Sequence, residues 1–598
     1  MKNRVLVNGI NLVLVTLFCF PVNSEIMDGE ELITVLPVIL VTGFRIPGDV
    51  MKETVSYELI PAGQDINQAT GINLFSNGPA GQNTSLFMRG TNSDHTLLAI
   101  DGVAIQDHSS LNGADDFGQH SLVGINTVEI IKGPMGSTYG PNAVAGVINF
   151  VTIPTTEKSI ATGIGSYGIK RVNLKYGLNI SNSTIASLNY IDNSSTGISI
   201  FPGGSEVDGY RNRGISLLTE TQLGQGLKIR TTMIKSENKA DMDTGTADDP
   251  NYLGEWTWEN LGATLENNNN KLTLNNSSHK RSYINNGDIE HYNSKELTAL
   301  GSHTFRFVKT NFTVGGEHKS ISADLLTEGS WITSVDKSRT VNGIFLNGDH
   351  AIGRVILQAG ARADLTTDFG RYSTFRLAGN FNQWRVSAAT GYRLPSIYEM
   401  YGLDNYGFSG NSQLGSERSR SNEIGYRKGR LDVALFSVNV TNEIVYKTDP
   451  ATFASTYSND TSGISHSKGV EAKYGLNLFG LDIINNLTYL HARNSAGAEK
   501  LRQPSWKNNL SVTARAADNL TVRGSMTYIS GRKDIDNLTY TTINQGNIIL
   551  FNIDSVYQVT KKTNFYSKVF NLTNVNYQLP MGYQQYGRTV EVGLKINF

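Results

Sequence analysis

The chain has 598 residues, a formal net charge of −1 and only 18% charged residues, but 60 glycines, 26 tyrosines and 23 phenylalanines. The nearly balanced charge excludes the basic surface that nucleic-acid binding needs. Cys19 is the only cysteine, so the chain beyond it contains neither a disulfide nor a cysteine metal site.

The N-terminus predicts an export signal. Lys2 and Arg4 precede an apolar run, Leu12 to Phe20, which ends in small and polar residues. The run is shorter than the about 20 apolar residues that a membrane-spanning helix needs. We therefore predict a signal peptide over residues 1–24, cleaved after Ser24.

Residues 25–46 predict a short linker with two apolar, β-prone runs. The first run spans 31–35, with the sequence ELITV. The second run consists of Val38, Ile39, Leu40, Val41 and Thr42. Pro37 prevents the two runs from merging into one strand. Each run can pair, as an added strand, with a sheet of another protein.

Residues 47–155 carry the densest motifs and predict a small α/β domain. The stretch from Val128 to Thr152, VEIIKGPMGSTYGPNAVAGVINFVT, has β-branched apolar runs on both sides of a Gly- and Pro-rich segment. This pattern predicts a strand, a tight irregular loop and a second strand. LFMRGTN from Leu86 and LLAIDGV from Leu97 precede it.

Residues 156–598 alternate between apolar and polar side chains. The final segment shows this at Val590, Val592, Leu594, Ile596 and Phe598. Period two places such residues on one face of a strand, and a polar second face in strand after strand favours a transmembrane β-barrel. A large soluble array of β-sandwiches would also alternate. The export signal and the terminal Phe598 favour the membrane.

The length of this region predicts about 22 antiparallel strands, if each strand with its connection takes about 20 residues. Barrel side chains cannot fill a lumen of that width. We therefore predict a membrane all-β fold, in which the α/β domain at 47–155 plugs the lumen of a barrel formed by 156–598.

The order and spacing of the motifs resemble the plug of TonB-dependent outer-membrane receptors: RG at Arg89, then IDGV, IKGP and YGPNAVAGVINFVT. The resemblance implies an active transporter of the Gram-negative outer membrane, not an enzyme. It implies TonB and its inner-membrane energising complex as partners, with the run at 38–42 as the TonB box. The run at 31–35 is the alternative box, and an ordinary first plug strand is the alternative role of 38–42. We also expect contact with outer-membrane lipid, no nucleic acid, and a monomer.

The resemblance also implies a charged latch between plug and barrel. Arg89 and Lys132 would face Glu417 and Glu423, which remain from a family barrel motif whose prolines are missing here. Lys132 occupies a position where arginine is commoner in the family. Lysine cannot form the bidentate pair with a carboxylate that arginine forms. We expect the latch to be open to water and therefore releasable; separate solvated charges are the alternative.

For the substrate, the chain looks most like the cobalamin receptor branch. The features are its short length, RGTNSDH from Arg89 and GYQQYGR from Gly582. Haem is the nearest rival, but residues 396–410 contain no histidine to ligate it. Ferric siderophores are a further candidate substrate class. Six polar plug residues are candidate substrate contacts: Asn77, Gln82, Asn83, His108, Asn112 and Asp115.

No cofactor is required, but calcium is a candidate. Cobalamin receptors use aspartates of two external loops for calcium, and this chain has five candidates there: Asp208, Asp241, Asp243, Asp248 and Asp249. Hard cations need several oxygen ligands. The earlier loop offers only Glu206 and Asp208, so a solvated acidic loop is the alternative.

Three rival functions differ in class. A barrel enzyme would need a catalytic motif, and the ten histidines form none. A passive porin would need neither plug nor coupling box. A receptor that signals without transport would need an added N-terminal domain, for which the segment between Ser24 and Val38 has no room.

Overall fold

The computed structural model describes residues 54–61, 63–329, 332–404 and 407–598. The predicted signal peptide, the linker and both candidate box runs lie outside these residues. Within the described residues, no helix is both long and apolar enough to cross a membrane.

The N-terminal part of the described chain is a small domain built on a mixed sheet. Its strands are β1 (Ser56–Pro61), β2 (Ile72–Ser76), β3 (Thr84–Met88), β4 (Thr96–Ile100), β5 (Val103–Ala104), β6 (Ile125–Lys132) and β7 (Gly146–Thr152). Five strands form one sheet in the order β1-β6-β7-β4-β5, and β2 pairs with β3. Only β4 and β7 run parallel in the five-stranded sheet. Because β1 pairs with β6 alone, it is an edge strand.

Helices contribute little to this domain. It contains the one-turn α1 (Gly136–Tyr139) and 3-10 turns at Ile66–Gln68, Ser93–His95 and Phe117–Gln119. The VEII and GVINFVT runs form β6 and β7 as the sequence predicts, and all of β7 is buried. A side chain at Gly146 would collide with the Ile131 carbonyl oxygen and the Met88 sulfur, so the start of β7 requires glycine.

The rest of the described chain forms a closed antiparallel barrel of 22 strands, which confirms the predicted architecture. The barrel strands are β8 (Lys158–Gly165), β9 (Lys170–Ser181), β10 (Thr184–Ile198), β11 (Asp208–Gly224), β12 (Leu227–Asp241), β13 (Leu253–Glu266), β14 (Asn270–Asn285), β15 (Asp288–Arg306), β16 (Thr310–Glu328), β17 (Thr333–Ile352), β18 (Val355–Thr366), β19 (Gly370–Phe381), β20 (Trp384–Arg393), β21 (Glu417–Lys428), β22 (Leu431–Thr448), β23 (Ser455–Leu478), β24 (Leu481–Arg493), β25 (Trp506–Ala517), β26 (Leu520–Ser530), β29 (Ile548–Thr560), β30 (Thr563–Phe570) and β31 (Thr589–Asn597). Pairing of β31 with β8 closes the barrel. A hairpin of β27 (Arg532–Ile535) and β28 (Thr542–Gln545) and the short α2 (Ile397–Tyr401) lie in its loops.

The barrel wall buries polar side chains and exposes apolar ones. On β17, Ile344 is 69% exposed, whereas Asn347 is fully buried against the lumen. The last strand follows the predicted alternation, since Val590, Leu594 and Ile596 are exposed and Glu591 is buried. This inverted polarity is the pattern of a barrel that faces lipid outside and a filled lumen inside.

The two ends of the barrel differ. At one end, strands are joined by tight turns such as 382–383 and 429–430; at the other, long loops such as 394–416 and 571–588 join them. Outer-membrane barrels have short periplasmic turns and longer extracellular loops. The first described residues and the chain end at Phe598 therefore lie toward the periplasmic end.

Candidate functional site

Buried charges tie the plug to the barrel, and two clusters of them contain the residues of the predicted latch. The first, which we call the periplasmic cluster, contains Glu58, Arg89, Lys132, Glu423 and Glu471. Arg89 follows β3 with a left-handed backbone (φ 52°), and its side chain is completely buried. That conformation aims the guanidinium from the plug into the barrel wall.

Arg89 binds two carboxylates on neighbouring parts of the wall. Its Nε and Nη2 donate to the two oxygens of Glu471 on β23, both at 2.9 Å, and its Nη1 lies 2.8 Å from Glu423 Oε2 on β21. The guanidinium also stacks 4.6 Å from the ring centroid of Phe436 on β22. Arg89 therefore spans three adjacent strands, and its forked pairing with Glu471 is the strong bidentate type.

Lys132 does not make its expected contact with Glu417 or Glu423. Its Nζ lies 2.5 Å from Glu58 Oε1 and 3.5 Å from Glu471 Oε2. The reason is register: Lys132 ends β6 opposite Ser56 of β1, which places its amine beside Glu58. Although burial raises the pKa of Glu58, the cations of Lys132 and Lys473 lower it to about 2.

Glu417 belongs to a second group, the extracellular cluster, with Asp94, His95, Arg393 and Glu399. The His95 Nε2 lies 2.5 Å from Glu417 Oε2, and Arg393 donates to Glu417 Oε1 at 2.9 Å. Arg393 also reaches Asp94 at 3.0 Å and pairs with Glu399 through both terminal nitrogens. Burial lowers the pKa of His95, but the carboxylates of Asp94 and Glu417 outweigh it and raise the pKa.

The expectation that water reaches the latch is wrong. Arg89, Lys132, Glu417 and Glu423 are each no more than 8% exposed. Removing one partner of such a buried pair strands an uncompensated charge and costs about 3–5 kcal/mol. The clusters therefore anchor the plug firmly until several contacts are broken together.

A cavity of about 310 Å³ adjoins the periplasmic cluster. Its lining includes Glu58, Lys132, Glu471 and Lys473, together with Arg430 in the tight turn after β21. The cavity therefore lies beside the charged side chains of the cluster, at the end of the barrel that carries the tight turns.

The candidate substrate residues of the plug do not form one surface. Gln82 donates to the Asp241 carbonyl oxygen at 2.7 Å, His108 lies 2.6 Å from Glu296 of β15, and Asp115 accepts from the Asp107 amide at 2.6 Å. These side chains are thus used in plug–barrel and internal contacts. The others, Asn77, Asn83 and Asn112, are half-buried.

Aromatic rings gather at the extracellular end, in a loop where the sequence contains no recognisable motif. Tyr398 of α2 stacks on Phe408 at 5.1 Å, and Phe408 lies 6.0 Å from Tyr446. Tyr398 also lies 6.5 Å from Tyr292 of β15. The same loop contacts the plug, because the Ser396 hydroxyl donates to the Leu111 carbonyl oxygen at 3.1 Å.

The candidate calcium residues divide into two groups. The structure brings Asp208 and Asp243 together with Glu206, so that one oxygen of each lies within 4.8 Å of the others. Burial and the neighbouring aspartates raise the pKa of Glu206 to about 7. Within that group, Asp208 accepts from the Ile200 amide and Asp243 from the amides of Phe201 and Asp249. Outside it, Asp241 and Asp249 accept from Gly209 and Asn285, and Asp248 accepts from Ser199 and Ser205.

Two oxygens in the acidic group have no hydrogen-bond donor among the described residues. They are Oε1 of Glu206 and Oδ1 of Asp208, and Asp208 is only 4% exposed. Carboxylate oxygens that converge without donors fit a hard cation.

Comparison with known proteins gives two family matches and several structural ones. A model described as "TonB dependent receptor-like, beta-barrel" matches residues 149–576, and one described as "TonB-dependent Receptor Plug Domain" matches residues 62–147. The siderophore receptor PirA from Acinetobacter baumannii is similar at a TM-score of 0.75 and 16% identity, covering 91% of this chain and 98% of that one.

Two further solved structures are similar. A mutant form of the ferric enterobactin receptor PfeA from Pseudomonas aeruginosa has a TM-score of 0.73 at 17% identity, covering 91% of this chain and 98% of that one. The ferric-catecholate import receptor Fiu from E. coli K12 has a TM-score of 0.71 at 15% identity, covering 92% and 98%. At these identities the likeness is one of fold.

Proposed function

Because the chain belongs to the TonB-dependent receptor family, whose members are outer-membrane transporters and not enzymes, we propose that it captures a ferric siderophore outside the cell and imports it with energy supplied through TonB. Cobalamin or a related corrinoid is the second candidate, and haem the third. The observation that supports the transport proposal is that the edge strand β1 contacts the periplasmic cluster directly, through Ser56 and Glu58.

The coupling step follows from the position of β1. Thirteen residues separate Thr42, the end of a box at 38–42, from Ser56 at the start of β1, and they span about 45 Å when extended. A box at 31–35 is twenty residues from Ser56. Strand addition by TonB gives a grip on the backbone there. A pull on that segment acts first on β1, which has a single partner strand and can separate from β6 one hydrogen bond at a time.

Separation of β1 removes two contacts of the periplasmic cluster and leaves the pairs of Arg89 with Glu471 and Glu423 in place. It withdraws Glu58 from Lys132 and Ser56 from Glu423. Lys132 then keeps its hydrogen bond to the Thr70 hydroxyl, at 2.5 Å, and the longer contact with Glu471. Water from the adjoining cavity then solvates the freed charges. The buried pair of Lys132 with Glu58 is thereby lost under load before the pairs of Arg89 are.

The siderophore is favoured over cobalamin by two considerations. The similar solved structures named above are a siderophore receptor, a ferric enterobactin receptor and a ferric-catecholate import receptor. In addition, the exposed Tyr446 and the half-buried Tyr398, which pack on the buried Phe408, offer flat rings at the extracellular end, suited to stacking on an aromatic iron chelator.

Calcium is proposed as a structural ion of the external loops. Glu206, Asp208 and Asp243 would hold it, and the ion would neutralise carboxylates that now repel one another. Titration of the purified protein with Ca²⁺ should raise its Tm, and Asp208→Asn should remove the rise. Glu255→Gln, which alters an exposed acid outside the group, should leave it. An unchanged Tm in the unaltered protein would reject the site.

Binding and uptake together test the proposed function. Purified protein should bind a ferric catecholate siderophore and neither cobalamin nor haem; tight cobalamin binding without siderophore binding would reverse the substrate choice. Deletion of 38–42 should leave binding intact and abolish uptake in cells. Uptake that survives this deletion and that of 31–35 would reject TonB-driven transport.

A further inference from the structure

Three side chains of the extracellular cluster bring metal-ligating atoms together where the plug meets the barrel. Asp94, His95 and Glu417 each offer one such atom, and these atoms lie within 4.8 Å of one another. Asp94 and His95 lie in a 3-10 turn of the plug, between β3 and β4, whereas Glu417 begins β21 of the barrel. None of the three is more than 4% exposed. The group therefore bridges plug and barrel in a place that bulk solvent does not reach.

Each of the two carboxylates has one oxygen in use and one that faces the histidine. Glu417 Oε1 accepts from Arg393 at 2.9 Å and from the Ile444 amide at 2.8 Å, whereas Oε2 lies 2.5 Å from His95 Nε2. Asp94 Oδ2 lies 3.0 Å from Arg393 Nε. Asp94 Oδ1 has no hydrogen-bond donor among the described residues, and it lies 3.8 Å from the same Nε2. Two carboxylate oxygens and one imidazole nitrogen thus converge.

The spacing of these atoms is close to that of the ligands around one small cation. Zinc binds imidazole nitrogen and carboxylate oxygen at about 2.0–2.2 Å in a tetrahedral arrangement, so its neighbouring ligand atoms lie about 3.4 Å apart. The distances from His95 Nε2, 2.5 Å to Glu417 and 3.8 Å to Asp94, lie on either side of that value. Because imidazole suits transition metals, whereas calcium and magnesium prefer oxygen alone, the ligand set favours an ion such as Zn²⁺.

The charge of the extracellular cluster also calls for a divalent cation. One guanidinium, that of Arg393, pairs with three carboxylates: Asp94, Glu399 and Glu417. The adjoining pair of Lys500 with Glu443, at 2.8 Å, is balanced in itself. With His95 neutral, the cluster therefore carries two excess negative charges. Buried charge is costly unless it is paired, and one divalent ion supplies the missing charge.

We propose that Asp94, His95 and Glu417 bind a divalent transition-metal ion, of the Zn²⁺ type, that staples the plug to the barrel. The ion would lie between the histidine and the two carboxylates, with a water molecule as its fourth ligand. Arg393 would hold both carboxylates in place through their other oxygens, which is how groups behind the ligands orient them in metal sites. The site needs neither a transported ligand nor TonB, so it stands apart from the proposed function.

Metal and proton compete for His95. In the metal-free protein Nε2 donates to Glu417, and in the neutral ring Nδ1 accepts from the Asn92 amide at 3.3 Å. An ion on Nε2 requires the ring proton on Nδ1 and so breaks this long contact. The effect of pH on stability through His95 is therefore a property of the metal-free protein and is measured with a chelator present.

The zinc content of the full chain tests the proposal. The protein is made without a histidine tag in cells supplied with Zn²⁺, purified in detergent and dialysed against metal-free buffer. Elemental mass spectrometry should find about one zinc ion per chain. His95→Gln and Asp94→Asn should each retain less than about a tenth of that zinc, since each removes one of three ligands.

Two control variants should keep their zinc. His108→Gln removes another plug histidine that contacts a barrel carboxylate, Glu296 at 2.6 Å, but His108 belongs to no group of three metal ligands among the described residues. Asp208→Asn alters the acidic group of the external loops. If the ligand variants do not fold, X-ray absorption at the zinc edge of the unaltered chain serves instead, and it should show one imidazole nitrogen among oxygen ligands.

Four results would overturn the proposal. The first is an unaltered chain that holds no zinc. The second is equal zinc content in His95→Gln and His108→Gln. The third is loss of the zinc in Asp208→Asn, which would place the ion in the external loops. The fourth is an absorption spectrum without an imidazole ligand.

Discussion

The Ser56 hydroxyl donates a hydrogen bond of 2.8 Å to the Glu423 carboxylate and so ties the first strand of the plug to the barrel wall. Arg385 of β20 donates to the same hydroxyl at 2.9 Å. Ser56 therefore begins the first described strand of the plug and contacts the periplasmic cluster directly. Force on the linker meets the ion pairs within a few residues, which makes β1 the natural release point of the plug.

Glu471 should be the most sensitive residue of the periplasmic cluster, because it holds Arg89 bidentately and also faces Lys132. Glu471→Ala should weaken plug anchoring by about 3–5 kcal/mol, since it leaves buried cations short of a partner. Plug anchoring is measured as the ion current that leaks through single proteins in planar bilayers while urea loosens the plug. The control Glu237→Ala removes an exposed partner of Lys235 and should cost less than about 1 kcal/mol. Equal leak in both variants would contradict the role of Glu471.

Plug anchoring should depend on pH through His95. The folded state raises the pKa of His95, so its contribution is fully present below the unfolded value of about 6.5 and is lost as pH rises through the folded value. The Tm difference between the unaltered chain and His95→Gln should therefore be larger at pH 6 than at pH 9. Because both proteins share all other titrating groups, subtracting one Tm from the other at each pH removes the effect of those groups. A Tm difference that stays constant would show that His95 binds Glu417 only as a neutral donor.

The extracellular rings should govern ligand affinity. Tyr398→Ala and Tyr446→Ala each remove a ring on which the ligand can stack; such a contact is worth about 0.5–1.5 kcal/mol, so each variant should bind the siderophore up to about tenfold more weakly. Fluorescence titration of purified protein measures this. Phe479→Ala, in a periplasmic turn where the side chain is 93% exposed, should have no effect. Unchanged affinity in both test variants would place the ligand elsewhere.

Local pattern was enough to predict the architecture. Alternation along single strands, as at 590–598, shows which face meets lipid, and motif order locates the plug. Both depend only on neighbours in sequence. The strand number followed from length, because each crossing of a membrane needs a nearly constant number of residues.

The partners in the charge clusters could not be predicted in the same way. Glu471 lies in no motif, and only the register of β21 to β23 brings it beside Arg89. The pairing of Lys132 with Glu58 depends on the register of β1 and β6, which are far apart in sequence. His95 ends the RGTNSDH segment, but nothing in the sequence places it against Glu417. Long-range register, not residue type, decides these contacts.

Uptake by a chain with β1 locked to β6 tests the release mechanism most directly. Ile60 and Val128 are directly opposite on these strands, and the chain beyond Cys19 has no thiol of its own, so cysteines at both positions can form only the intended bridge. A cysteine pair at Leu217 and Met233, opposite each other on β11 and β12, is the control. We predict that the oxidised I60C/V128C protein binds its ligand but does not import it, that reductant restores import, and that the control imports in both states. Import by the fully oxidised I60C/V128C protein at the reduced rate would contradict release through β1.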